Sequence, residues 1–326
     1  MILHYRIFGA GEWGSAVAEY LSKKGNKVDI YVRDKSSFIK SFNLNQNINV
    51  FDLNDNINQL RCSGDHVNMI ACSSSGFFDV VKNYKDYFSK SDFISWLTKG
   101  IDHDSGLLFH QIIDNEISSK ITKCIISGPS FASDLMNNKK IEVSLASTNI
   151  NKSQKFINSV ESDCFKLVVT KDIIGVQISA IIKNICAILA GILSEYNSEK
   201  YAIENLMEFA KKEIFEISNH FENFNKIYAV DIRERSATIK SPSCDGDLIL
   251  TCLNPTSRNR TFGSLLAKNN SINDILIQLG TVEGYIATKT LYMKNDLPNG
   301  PIVNCAFNIL YGNSEPLKEL KFLKTN

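Results

Sequence analysis

The sequence predicts an α/β protein with a doubly wound N-terminal sheet followed by an all-α C-terminal domain. Three observations carry this. Short apolar runs alternate with amphipathic helical stretches through roughly the first 170 residues, the pattern of strands and helices in a parallel sheet. A glycine-rich turn joins the first apolar run to the first helical stretch. Beyond residue 172 the apolar spacing becomes that of long helices. With 326 residues and 44% hydrophobic content, the chain can fill two cores, on the guide of roughly 100–200 residues per domain.

Residues 2–8 read as the first strand, and Ala16-Val17-Ala18 with Tyr20-Leu21 as the buried face of the first helix. Between them Gly9-Ala10-Gly11-Glu12-Trp13-Gly14 has the spacing Gly-x-Gly-x-x-Gly. In a Rossmann-type unit Gly9 makes the tight turn, Gly11 lets the backbone approach a pyrophosphate, and Gly14 lets the helix sit near the strand. Amides at the helix start and the positive end of its dipole then face the phosphates. Many bare matches to this spacing are ordinary turns, but the strand before and the helix after mark a dinucleotide site. The expected division is therefore 1–171 for a dinucleotide-binding domain and 172–326 for a helical substrate-binding and catalytic domain.

Residues 27–32 alternate as a second strand ending at Arg33-Asp34. An acidic residue there binds a ribose diol and a basic one favours the extra phosphate of NADP, so the pair leaves the preference open. Residues 41–58, rich in Asn and Asp, read as a polar excursion with little regular structure. The next strand, 67–72, runs into Ser73-Ser74-Ser75-Gly76, a helix-capping cluster at a cofactor-side loop. Residues 93–97 deliver Thr98-Lys99-Gly100 to the carboxyl edge of the sheet, where open α/β sheets place ligands. Cys124-Ile125-Ile126 leads into Ser127-Gly128-Pro129-Ser130-Phe131-Ala132, a second turn of small residues. Strands at 141–146 and 165–169, with a helix near 153–160, complete the sheet domain. Helices are expected over 173–194, 200–220, 259–268, 272–279 and 283–294.

Formal net charge is +1, from 36 basic and 35 acidic residues, so no overall field gathers nucleic acid or an anionic membrane. Any anion site is local. Eight cysteines stand singly at 62, 72, 124, 164, 186, 244, 252 and 305, without the spacing of a metal site or a disulfide framework. Several lie in apolar runs, which points to reduced core thiols and a cytoplasmic protein, and the first residues do not read as a secretion signal. Residues 173–193 are apolar enough to suggest a span, since about 20 such residues cross a bilayer. Gln177, Lys183 and Asn184 fall near the middle of that run. A lysine at a bilayer centre is costly, so a buried core helix and no stable membrane insertion are expected.

Lys183 is thus a cation on an otherwise apolar helix, Ala180-Ile181-Ile182-Lys183-Asn184-Ile185-Cys186-Ala187. Burial disfavours a charged ammonium and suits a lysine to general acid or base work, the alternative being a packed stem with its amine in solvent. A second cluster is Asp245-Gly246-Asp247-Leu248-Ile249-Leu250-Thr251-Cys252, followed by Ser257-Arg258-Asn259-Arg260-Thr261-Phe262-Gly263. Arginine, asparagine and amides at a helix start can grip a phosphate, although the same residues also serve as a solvated cap. Asp247 can accept from a substrate hydroxyl or hold Lys183.

Taken together, these motifs resemble the NAD(P)-dependent glycerol-3-phosphate dehydrogenases of the soluble bacterial type. Gly9 to Ala16, Leu97-Thr98-Lys99-Gly100, Ser127 to Ala132, Ile182-Lys183-Asn184, Gly246 to Cys252, Ser257 to Gly263, Val282-Glu283-Gly284 and Pro301-Ile302 occur in the family's order. The resemblance covers most of residues 1–312. It implies reversible hydride transfer between NAD(P)H and dihydroxyacetone phosphate, giving sn-glycerol 3-phosphate for glycerophospholipid synthesis. Lys183, Lys99 and Asp247 would be catalytic, with Lys183 the general acid and base. Gly128, Ser130, Asn184, Thr251, Ser257, Arg258 and Asn259 would join them around the substrate. Gly9, Gly11, Glu12, Trp13, Gly14, Arg33, Lys99, Ala132, Arg258 and Glu283 would hold the cofactor. A cleft between the domains that closes on the substrate, and a homodimer, are further implications. The chain departs from the family at Ser194-Glu195-Tyr196-Asn197, at Phe209-Ala210-Lys211-Lys212 and at Ser241-Pro242-Ser243-Cys244-Asp245. The last adds a carboxylate beside Asp247. Other readings are a reductase of the same build acting on a 3-hydroxyacid or 6-phosphogluconate, and a nucleotide-sensing module without turnover.

Overall fold

In the computed structural model, residues 2–41, 45–53, 55, 66–91, 93–118, 120–196, 200–224, 226–294, 297–298 and 300–324 are described. The chain divides into two compact units, Met1–Asp102 with Leu107–Ile173, and His103–Gly106 with Ile174–Asn326.

The first unit is built on eight strands: β1 (His4–Phe8), β2 (Lys27–Val32), β3 (Ile48–Asp52), β4 (His66–Ile70), β5 (Phe93–Trp96), β6 (Thr122–Ser127), β7 (Ile141–Ser147) and β8 (Phe165–Thr170). They lie in the order β3-β2-β1-β4-β5-β6-β7-β8, parallel throughout except where β6 meets β7. Register is fixed by apolar residues in line, Ile7 pairing with Ile30 on one side and Met69 on the other. Helices α1 (Glu12–Lys23), α2 (Lys35–Ser41), α3 (Ser74–Asn83), α4 (Lys85–Phe88), α5 (Phe109–Glu116), α6 (Ala132–Met136) and α7 (Ile150–Val160) connect these strands. The central strands are buried, as a sheet covered by helices on both faces requires. Strand order turns back at β1 and β4, so the switch point of the sheet lies at the turn after β1.

The polar excursion expected over 41–58 is corrected in part. Residues Ile48–Asp52 form β3, paired parallel to β2 with Val28 against Ile48 and Ile30 against Val50. It is a five-residue edge strand with one fully buried apolar side chain, Ile48, so its alternation is faint among the flanking Asn and Asp. Residues 42–44, 54 and 56–58 of that excursion lie outside the described residues, as do Cys62 and Asn197. The other seven cysteines are free thiols.

The second unit is helical: α8 (Ile173–Glu195), α9 (Lys200–Phe224), α10 (Ile232–Ile239), α11 (Asp247–Leu253), α12 (Arg258–Ala267), α13 (Ile272–Leu279), α14 (Glu283–Tyr292), α15 (Pro301–Leu310) and α16 (Pro316–Glu319). Helices α10, α11, α15 and α16 were not among those expected. The first of these is polar and buries Arg235, held by Glu222 at 2.8 Å, so it carries no apolar stripe. Helix α8 is long and apolar enough to cross a membrane, and its most apolar stretch is wholly buried. Helix α12 crosses it at backbone contact. A Cβ at Gly263 would stand 1.9 Å from the Ile188 carbonyl oxygen, and one at Gly191 would stand 2.0 Å from that of Arg260. No residue but glycine fits at either crossing point.

A buried carboxylate ties α9 to α15. Glu213 accepts from the Ile302 and Val303 amides at 2.6 and 3.0 Å, satisfying donors that the helix start leaves open. Burial pushes its carboxyl up to about 7, against the two amides that pull it down. The folded chain therefore holds this proton more tightly than the unfolded chain. The stability it contributes is complete below about pH 4.5 and is lost as pH rises through about 7. Urea unfolding should show a decline of up to roughly 3 kcal/mol over that window from this group. Glu213→Gln is expected to flatten it, and an equally steep decline in the variant would refute the assignment.

Candidate active site

In the turn after β1 the three glycines occupy different settings. Gly9 adopts a φ of 109°, and a Cβ there would strike the Ala71–Cys72 backbone at 2.6–2.8 Å. Gly14 lets α1 pack on Gly9 and Ala71. Gly11 differs, because a Cβ there would meet no atom within 4 Å, so packing gives no reason for glycine. It faces open space at the start of α1, where no side chain caps the helix. Gly9, Ala10 and Gly11 line a cavity of about 1190 Å³ with Arg33, Asp34, Ser73 and Gly76. A backbone cradle that a Cβ would fill, uncapped amides and a cavity of this size fit a dinucleotide.

At the far end of β2, Asp34 is partly committed. Its Oδ1 accepts from the Ser37 amide at 2.9 Å and the Ser36 hydroxyl at 2.8 Å, and these bonds hold its carboxyl below the usual range. Arg33 lines the same cavity. Asp55, Asp79, Asn83 and Tyr84 also line it and were not singled out from sequence. Asp55 follows the strand hidden by its polar neighbours, and the others face the cavity from the helical side of β4. Ser73 sits at the N-cap position of α3, yet its hydroxyl bonds to the Ser75 hydroxyl rather than to a backbone amide of the helix. Of the expected cofactor residues, Trp13 is half-buried against the core, Glu12 is exposed, and Ala132 opens α6 beside the core.

At the carboxyl edge of β5, Lys99 Nζ donates to the Gly128 carbonyl at 2.9 Å, and Ser130 Oγ reaches the same oxygen at 3.3 Å. Gly128 lies against Val143, where a Cβ would come within 2.9 Å of that residue's Cα. Lys99, Gly128 and Ser130 are thus one cluster in the first unit.

The second unit assembles another. Lys183 Nζ lies 3.0 Å from Asp247 Oδ1 and 3.1 Å from Thr251 Oγ1, with Lys183 7% and Asp247 2% exposed. Asp247 and Thr251 stand one turn apart on α11, so the two present a common face to the amine. Asp247 therefore holds Lys183, the second of the two roles open to it. Asn184 is engaged differently. Its Nδ2 donates to the Ala180 carbonyl and its Oδ1 accepts from Asn259 Nδ2 at 2.9 Å, while Asn259 Oδ1 accepts from the Gly284 amide. This amide chain stitches α8, α12 and α14 together beside the lysine. Ser257 caps α12 by accepting from the Arg260 amide, and Arg258 is exposed with one donor on the Thr281 carbonyl. Glu283 pairs with His103 at 3.5 Å, a partner far off in sequence and without a local signal. Phe209, in one of the segments that depart from the family pattern, packs edge-on to Phe322 at 5.1 Å.

A dinucleotide cradle on a doubly wound sheet, joined in one chain to helices holding a buried lysine–aspartate pair, defines a nicotinamide-nucleotide-dependent dehydrogenase. Residues 5–153 match the family described as NAD-dependent glycerol-3-phosphate dehydrogenase N-terminus, and residues 172–321 match that family's C-terminus. The chain is 30% identical to glycerol-3-phosphate dehydrogenase [NAD(P)+] of Francisella tularensis subsp. novicida, over 98% of this chain and 96% of the relative. It is 29% identical to the enzyme of that name from Ruthia magnifica, over 97% and 96%. Among solved structures, glycerol-3-phosphate dehydrogenase from Coxiella burnetii has the same fold, with a TM-score of 0.85, 24% identity and coverage of 100% and 99%. That of Plasmodium falciparum gives 0.83 at 16% identity, covering 100% and 96%. The chain belongs to the NAD-dependent glycerol-3-phosphate dehydrogenase family. It is an NAD(P)-dependent oxidoreductase that reduces dihydroxyacetone phosphate to glycerol 3-phosphate.

The two glycines separate folding from cofactor binding. Gly11→Ala is expected to leave the thermal midpoint within a few degrees of wild type, since its Cβ meets nothing and its φ of −66° suits any residue. NADH affinity should fall at least about tenfold in the same variant, through loss of close backbone approach. Gly9→Ala should destabilise the fold itself. Unchanged NADH affinity in Gly11→Ala, read by fluorescence titration, would remove the pyrophosphate from this turn.

Proposed function

We infer that Lys183 is the proton donor and acceptor of this reaction. The observation that carries the reading is its amine, buried on an apolar helix and held at 3.0 Å by Asp247 and 3.1 Å by Thr251. When bound, the reduced nicotinamide supplies a hydride to C2 of the ketone. Lys183 gives its proton to the carbonyl oxygen as negative charge grows there, and recovers one from solvent before the next turnover. Asp247 and Thr251 fix the direction of the amine and keep it in place as its charge changes. Low solvent access around the amine strengthens its interaction with a developing alkoxide.

The remaining roles follow from placement. Lys99, with Gly128 and Ser130, sits at the carboxyl edge of the sheet and contacts both cofactor and ketone. Arg258 offers its exposed guanidinium to the substrate phosphate, with Ser257 and Asn259 beside it at the helix start. Asn259 and Asn184 act mainly by holding α8, α12 and α14 in register, because their amides are already bonded to one another. Gly9, Gly11, Glu12, Trp13 and Gly14 bear the pyrophosphate, Arg33 the adenosine end, and Ala132 and Glu283 the remaining cofactor contacts. The domain boundary on this reading falls at 171–172. The product feeds glycerophospholipid synthesis in the cytoplasm, α8 being a core helix rather than a span, and the working enzyme is a homodimer.

Lys183→Met should lower kcat by about 10²–10⁴-fold while NADH affinity stays within about twofold. Arg258→Ala should instead raise KM for dihydroxyacetone phosphate at least about tenfold with a smaller change in kcat. A Lys183→Met enzyme with wild-type kcat would overturn the proton role.

A further inference from the structure

Two segments that depart from the family pattern meet beside Asp247. Residues Pro242–Gly246 form a π-helical turn that runs directly into α11. Such turns are rare in helices and often stand at functional sites. This one is held from two sides. Ser243 and Cys244 are buried beneath it, and Asp245 Oδ1 accepts from Lys211 Nζ of α9 at 3.1 Å. Lys211 also pairs with Glu208, three residues earlier on the same helix. Burial pulls the Lys211 ammonium toward neutrality, but its hydrogen bonds to Glu208 and Asp245 more than offset this and keep it charged. The ends of the bridge face a surface cavity of about 420 Å³.

We propose that Lys211 is a positioning residue for the reduction: it ties α9 to the turn that carries Asp247 to Lys183, and it cancels the Asp245 carboxylate two residues from Asp247. The proposal rests on Lys183 as proton donor. The buried Cys244 thiol feels Asp245, Lys211 and Asp247 together, so these charges share one region. An uncompensated Asp245 carboxylate favours the ammonium form of Lys183 and delays its loss of a proton as pH rises. An uncompensated Lys211 ammonium does the reverse.

Other charged or titratable groups surround the pair and the amine. Lys212 and Glu216 of α9 and Lys240 after α10 border the cavity with Glu208. Glu213 of α9 and Cys186 of α8 interact electrostatically, with Cys252 of α11 beside Cys186. Glu283 of α14 faces His103, and Glu195 at the end of α8 faces Lys268. None of these is itself substituted when only Lys211 or Asp245 is changed, although Glu208 loses its ion pair in Lys211→Met. Asp245 and Lys211 are 42% and 20% exposed, so solvent screens the effect and it is moderate.

The test is the pH profile of kcat for the full-length enzyme with dihydroxyacetone phosphate and saturating reduced cofactor. Lys211→Met is expected to move the alkaline limb up by about half a pH unit, and Asp245→Asn to move it down by a similar amount. The double variant should return it to the wild-type position, as should Lys211→Arg. Both shifts should shrink at about 0.5 M salt. Shifts in the same direction, or a fall in kcat with the limb unmoved, would reduce Lys211 to a packing role and overturn the proposal. Asp245→Asn and the double variant keep the test open should Lys211→Met fold poorly. Lys183→Met distinguishes the two levels. Wild-type kcat in that variant sinks the proton-donor reading, whereas an inactive variant alongside unmoved limbs sinks only the Lys211 proposal.

Discussion

The ion pair between Lys183 and Asp247 is the constraint on which the catalytic unit turns. An ammonium placed on a helix as apolar as α8 is costly unless a carboxylate meets it with good geometry, and removing one partner of such a pair is strongly destabilising. Much of the helical unit is arranged to meet that requirement. Helix α11 brings Asp247 and Thr251 to the amine on one face. Gly191 and Gly263 let α12 lie on the backbone of α8, and the Asn184–Asn259–Gly284 chain adds α14 to the same layer. The π-helical turn before Asp247 sets where that carboxylate begins. An amine held in this way is fixed in direction, because its position is shared among several packed helices rather than left to one flexible side chain.

The nucleotide unit obeys a different constraint. The glycines of its turn after β1 serve distinct ends. Gly9 and Gly14 are required by the protein's own packing, whereas Gly11 faces open space and packing gives no reason for it. This distinction is what the Gly11→Ala and Gly9→Ala variants separate. The cavity that opens at this turn extends to Arg33 and Asp34 at the end of β2.

Much of this was legible in the chain because the signals are local. The glycine turn, the alternation that made β1, β2, β4 and β5, and the isolated lysine on an apolar helix each lie within a few consecutive residues. What escaped reading depends on distant partners or on weak periodicity. Strand β3 has only Ile48 fully buried and is flanked by Asn and Asp. Helix α10 buries Arg235 through Glu222, so it shows no apolar face. Glu213 looks like any helical glutamate until the start of α15 is found on it, 89 residues away. The pairing of Asp247 with Lys183 was one of two possibilities in sequence and needed 64 residues of intervening fold to settle it. The engagement of Asn184 with Asn259 was not foreseen at all, since two amides at a site look alike whether they bind substrate or one another.

The central claim is that an amine at position 183 moves the proton. Chemical rescue tests it most directly: Lys183→Ala is supplied with small primary amines of graded basicity, and hydride transfer to dihydroxyacetone phosphate is followed in single turnovers. If the account holds, the rate rises with amine concentration and varies systematically with amine pKa, as general acid catalysis requires. A variant that binds both ligands yet shows no response to any amine, or a response indifferent to basicity, would contradict it.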